Sequence, residues 1–120
     1  MKKIITTLAL VTALFAVTAG TASASTAGQR NAVSSAQSYL QSSAFSKSGL
    51  IGQLKFEHFS GSEARWAVAH VRVNWNAQAV KSAKSYLQSS SFSRRGLVEQ
   101  LEFEGFTSSQ AAYGVRKAYR

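Results

Sequence analysis

His58 and His70 are the two histidines of the chain and the first residues to weigh for chemistry. They stand twelve positions apart with no H-E-x-x-H around either. The only acidic partners are five glutamates, because aspartate is absent. A hydrolytic metal needs ligands one helical turn apart with a general base beside them, and this sequence offers no such set. Cysteine is also absent, which removes thiolate zinc sites, thiol nucleophiles and a disulfide framework. The serines are numerous, but no G-x-S-x-G elbow or phosphate-cradling glycine loop places one for attack. With no nucleophile paired to a base, no catalytic residue, metal ligand or cofactor is expected, and the chain reads as a non-enzyme.

The chemistry left is electrostatic. Fourteen Lys and Arg against five Glu give a formal charge of +9 over 120 residues. Such a surface attracts polyanions in general: anionic wall polymers, lipid head groups or nucleic acid.

Two kinds of segment carry these charges. Lys2 and Lys3 precede a mostly apolar run from Ile4 to Val17, and Ala22-Ser23-Ala24 supplies small residues in an A-x-A pattern. This is the layout of a secretory signal peptide over residues 1–24. The apolar run is too short for a membrane span, so no integral membrane segment is expected. Secretion, or association with the cell surface, follows cleavage near Ala24, with Ser25 as the mature start. Without Lys2 and Lys3, twelve basic residues face five glutamates, so the remainder keeps a net charge of +7.

Beyond that point the sequence repeats itself. At an offset of 47, Tyr39-Leu40-Gln41-Ser42-Ser43 matches Tyr86-Leu87-Gln88-Ser89-Ser90, and Phe45-Ser46 matches Phe92-Ser93. Gly49-Leu50, Gln53-Leu54, Phe56-Glu57, Phe59, Ala64 and Val68 find partners at Gly96-Leu97, Gln100-Leu101, Phe103-Glu104, Phe106, Ala111 and Val115. The expected organisation is a first repeat over 25–74 and a second over 75–120, a tandem pair and not a long solenoid.

Each repeat reads as three short helices, an all-α class. Ala32, Val33, Ala36, Tyr39 and Leu40 fall at helical spacing, as do Val80, Ala83, Tyr86 and Leu87. Ser46 and Ser93 are suited to cap a second helix whose face is Leu50, Ile51 and Leu54, or Leu97, Val98 and Leu101. Gly105 is a natural helix stop, whereas His58 at the same place lacks glycine's backbone freedom. Ser60…Glu63 and Thr107…Gln110 are capping boxes for a third helix. Its face is Ala64, Ala67, Val68 and Val71, or Ala111, Val115 and Ala118. Asn74 is expected to cap the next helix, and Trp75 to pack between the repeats.

The pattern A-x-x-Y-L, F-S-x-x-G-L and Q-L-x-F-E-x-F-[ST], present twice with W-N-x-x-A between, resembles the Ltp family of host cell surface-exposed lipoproteins. The resemblance covers essentially all of the chain after the export signal. It implies two small all-helical domains, each with a helix-turn-helix-like element, displayed on Gram-positive cells. It also implies a part in phage superinfection exclusion, in which a prophage-encoded lipoprotein interferes with DNA injection by an incoming related phage. The lipid-accepting cysteine of lipoprotein signals is replaced by Ser25 after Ala24, so this chain resembles a secreted member.

Two readings result. The first is an exported interaction module whose partner is a phage tail or DNA-injection component. The second is a secreted cationic protein that binds anionic cell-envelope polymers or extracellular nucleic acid. Sequence-specific DNA recognition is not expected, because export argues against a repressor and the third helices share no base-reading series. Among the basic residues only Lys47 and Arg94 hold the same repeat position. They are the first candidates for a binding surface, with Arg95 and with Arg65, Arg116 and Lys117 of the third helices. The apolar faces are expected to be used up by folding.

Overall fold

The computed structural model describes residues 24–119, so the export signal expected over 1–24 lies outside the described residues apart from Ala24. Among the described residues the fold is six helices in two clusters: α1 (Ala27–Ser42), α2 (Lys47–Phe56) and α3 (Gly61–His70), then α4 (Trp75–Ser89), α5 (Arg94–Phe103) and α6 (Ser108–Ala118). Among the described residues no helix is long and apolar enough to cross a membrane.

Short hydroxyl and amide side chains start every helix, because each can accept a bond from an otherwise free first-turn N–H. Ser46 and Ser93 cap α2 and α5, and Asn74 caps α4. Ser60 with Glu63 and Thr107 with Gln110 close full capping boxes on α3 and α6. A third box, Thr26 with Gln29, starts α1 one turn before the apolar face begins. Sequence periodicity missed that turn, since it buries nothing.

The second helix of each repeat ends in the same six-residue loop-back. Phe59 N donates to Leu54 O at 3.2 Å and His58 N to Lys55 O at 2.9 Å; Phe106 and Gly105 bond Leu101 and Glu102 in the same way at 3.1 and 3.0 Å. This arrangement requires a left-handed residue after the helix. Gly105 takes φ 106°, and His58 takes φ 76° without glycine's freedom. The turn returns Phe59 and Phe106 to the core, over the leucines that anchor it.

Each cluster has its own apolar centre. Leu50, Leu54, Ala64 and Val68 are buried in the first, and Leu97, Leu101, Ala111 and Val115 in the second. The polar matches Gln53 and Gln100 each donate an amide N–H to a tyrosine hydroxyl, Tyr39 or Tyr86, both at 3.2 Å. The same tyrosines meet Phe45 and Phe92 edge-on, with centroids 5.7 and 5.5 Å apart. These bonds lock the first helix of each repeat to the second.

The repeats join head to tail. Val73 and Trp75 pack on the first core, so the start of α4 is shared. The Ser46 hydroxyl, buried, donates to Glu104 O at 2.6 Å while accepting from Gly49 N, and Phe45 N donates to Gln78 Oε1 at 3.0 Å. Lys81 Nζ reaches Leu40 O near the end of α1 at 3.1 Å, where the helix dipole favours a cation. The end of α5 thus abuts the start of α2. Burial pushes the Glu104 carboxyl pKa up, a rise that its hydrogen bond from Ser82 partly opposes. At the outer ends, Glu57 and His58 of the first repeat and Ser93, Arg94 and Arg95 of the second face solvent.

Candidate interaction surface

A groove of about 580 Å³ lies between α4 and α6, lined by Asn74, Ala77, Val80, Lys81, Lys84, Tyr113 and Lys117. Its shape follows from helix periodicity. Residues 77, 80, 81 and 84 repeat at the spacing of one face of α4, and Tyr113 and Lys117 sit one turn apart on α6. Lys81, Lys84 and Lys117 are all exposed, and no glutamate lines the groove. Lys117 Nζ and the Arg116 guanidinium both lie over the Tyr113 ring, at 5.7 and 5.4 Å from its centroid, a geometry that lets the ring quadrupole hold the cations. A second groove of about 470 Å³ adjoins it across the repeat junction. The two share Asn74 and Ala77, and the second adds Arg72.

The first repeat has different chemistry at the same positions. Ser34 and Gln37 stand where the second repeat has Lys81 and Lys84. Trp66 and His70, at the places of Tyr113 and Lys117, stack with centroids 3.9 Å apart and planes at 14°. His70 Nδ1 lies 2.8 Å from Trp66 O, where its ring N–H donates. The cationic groove therefore belongs to the second repeat alone.

The candidates chosen from sequence are dispersed. Lys47 opens α2 and Arg94 opens α5, each exposed. Arg94 lies over the Tyr119 ring at 4.5 Å, and the Tyr119 hydroxyl donates to Phe92 O. Arg95 pairs with Glu99 one turn on, at 3.5 Å. Arg65 is exposed on α3, in the other repeat. Only Lys117 lines the groove, with Arg116 beside it. Lys81, Lys84 and Arg72, which line the two grooves, were not among those candidates. A signal for the first two was present in their i, i+3 spacing on a helix whose counterpart carries Ser and Gln.

One matched apolar pair lies outside both cores. Phe56 is 79% exposed and Phe103 is 87% exposed. The cause is rotation: each lies two residues after its buried leucine, about 200° around the helix, and the returning Phe59 or Phe106 fills the core in its place. Two large aromatic rings are held in water at equivalent positions of both repeats. Among the described residues no group of three or more His, Cys, Asp or Glu could hold a metal ion.

A family model described as host cell surface-exposed lipoprotein (Ltp) matches residues 28–71 and again 74–117. A solved structure is also similar: that of Ltp, a superinfection exclusion protein from the Streptococcus thermophilus temperate phage TP-J34. The sequences are 33% identical, the match covers 78% of this chain and 97% of that one, and the TM-score is 0.74. A search of curated proteins finds no match.

Proposed function

This chain belongs to the Ltp family of host cell surface-exposed lipoproteins, and from that premise we propose that it acts in superinfection exclusion. It is a non-enzymatic interaction module that works outside the cytoplasm. The observation that supports exclusion is the likeness to the phage TP-J34 protein across both repeats, at an identity and TM-score that make the folds directly comparable. In this reading the partner is a tail or DNA-injection component of an incoming phage, and export releases a product beginning at Ser25.

The contact surface we assign to that partner contains Phe56 and Phe103. Aromatic residues, phenylalanine among them, are enriched at protein interfaces, and these two are exposed at matched positions of both repeats. Lys47 lies next to the α5 end that carries Phe103 and supplies charge there.

Expression in a phage-sensitive host tests this. Plating efficiency of a related phage is expected to fall while adsorption stays normal, with entry of phage DNA blocked. Phe56→Ser combined with Phe103→Ser is expected to restore plating by at least tenfold, with thermal stability unchanged within about 0.5 kcal/mol as for other exposed positions. Normal plating in the presence of the exported wild-type protein would overturn the exclusion reading. Full exclusion by the double variant would remove only the phenylalanines from it. Mass spectrometry of culture supernatant and wall fractions checks the export step, where a product starting at Ser25 is expected and an intact Met1 terminus would contradict cleavage.

A further inference from the structure

We infer that the groove between α4 and α6 binds a flexible phosphodiester polymer that carries no bases, one strand of phosphates joined by polyol units. The proposal goes beyond exclusion and does not depend on it.

Three observations on the groove converge. Its charge is of one sign: Lys81, whose ammonium also donates to Leu40 O, and Lys84 on one wall, Lys117 and the neighbouring Arg116 on the other, and no carboxylate between them. The positive track continues past Asn74 and Ala77 into the adjoining groove, where Arg72 lies. An extended chain, as opposed to a single small anion, would therefore meet successive cations. The lysines come from two helices of the second repeat, and the first repeat replaces two of them by Ser34 and Gln37, so this is a local feature of one repeat and not the general basicity of the protein.

The groove's shape and its aromatic residue select among phosphate polymers. α4 and α6 are packed in contact at Gly114 and Ala79, so the groove runs along the seam between them, which suits one strand and leaves a nucleic acid duplex to touch only the rims. Single-stranded nucleic acid is normally held by stacking its bases on free aromatic faces. Tyr113 is the one aromatic side chain lining this groove, and its ring already carries Arg116 and Lys117 at 5.4 and 5.7 Å. Cations placed over that ring compete with a base and favour a phosphate. The ammonium groups recognise phosphate oxygens as point charges, needing no fixed orientation of the strand, which suits a polymer with freely rotating linkers. For an exported protein with no cysteine in its sequence, such binding also supplies a means of retention at the envelope.

The test measures affinity of the purified exported protein for poly(glycerol phosphate) of defined length across a salt series. The comparison probes are a single-stranded oligonucleotide with the same number of phosphates and polyglutamate of the same charge. Poly(glycerol phosphate) is expected to bind tightest of the three. Lys81→Gln, Lys84→Gln and Lys117→Gln together are expected to weaken it at least tenfold and to reduce the slope of log K against log salt by about 2, the value for three lost phosphate contacts on a single strand. Lys47→Gln, Arg65→Gln and Arg94→Gln together remove the same charge outside the groove and are expected to change affinity less than threefold. Arginine at the three groove positions keeps the charge and is expected to keep binding, which separates loss of the site from loss of fold. Equal weakening by the two triple-Gln variants, or tighter binding of the oligonucleotide or polyglutamate, would overturn the proposal.

Discussion

Truncating Leu101 to alanine is expected to remove about 2–5 kcal/mol from the folding of the second repeat, the cost of a large side chain lost from a packed interior together with the cavity it leaves. Leu101 has no solvent exposure, and its carbonyl accepts the bond from Phe106 N that closes the turn after α5. The cavity would open beneath Phe106 and beside Tyr86, whose hydroxyl is held by Gln100. For a chain of this size the melting midpoint is expected to fall by roughly 10 °C or more. Leu54→Ala should act equally on the first repeat, because Leu54 is just as buried and closes the same turn through Phe59. Thermal melts followed by far-ultraviolet circular dichroism check both, and a midpoint unchanged by either substitution would place the core on another helix face.

A second large effect is expected at Gly114. A Cβ added there would lie 2.7 Å from the carbonyl carbon and oxygen of Ala79 and 2.8 Å from its Cβ. The obstacle is main chain, so no side-chain rotation relieves it. Gly114→Leu must push α6 off α4, the most extensively packed helix pair in the protein, and is expected to cost about 3 kcal/mol or more. It should also widen the cationic groove and weaken polymer binding. The sign of the alanine substitution is the sharper check. Gly114→Ala is expected to destabilise although alanine is the better helix former by about 1 kcal/mol. Gly52→Ala, inside α2 with nothing within 4 Å of the added Cβ, is expected to stabilise by about 0.5–1 kcal/mol. Denaturant unfolding of the pair measures both signs, and stabilisation by Gly114→Ala would show that the helices can separate without cost.

Much of the architecture was legible in the chain because its signals are local. A side chain that accepts a bond from an amide three residues ahead declares itself within four positions, so Ser46, Ser60, Asn74, Ser93 and Thr107 located five of the six helix starts. Leu50 and Leu54, or Leu97 and Leu101, identify their own buried face by spacing alone. Duplication then checked each assignment against a second copy, and the capping boxes at Ser60 and Thr107 agreed. The absence of cysteine, aspartate and any paired nucleophile and base was likewise a property of composition and spacing. The resemblance to the Ltp family rested on the same recurring aromatic, glycine and cap residues.

What the tertiary structure decided are the places where equivalent sequence positions acquire unequal neighbours. Ser46 and Ser93 are the same cap in the same motif, yet Ser46 is buried against Glu104 and Ser93 faces water, because a head-to-tail pair has only one internal junction. Gly105 and His58 take the same left-handed turn, but only Gly105 lies against the other repeat, where a Cβ would come within 2.0 Å of Ser48 Oγ. Lys81, Lys84 and Lys117 are separated by up to 36 positions, so their meeting in one groove depends on how α6 crosses α4 at Gly114. Phe56 and Phe103 recur in both repeats yet stand in water. Helical rotation past Leu54 and Leu101 accounts for that exposure, whereas the return of Phe59 and Phe106 to the interior depends on the left-handed turn at His58 and Gly105, which lies beyond the reach of helical spacing.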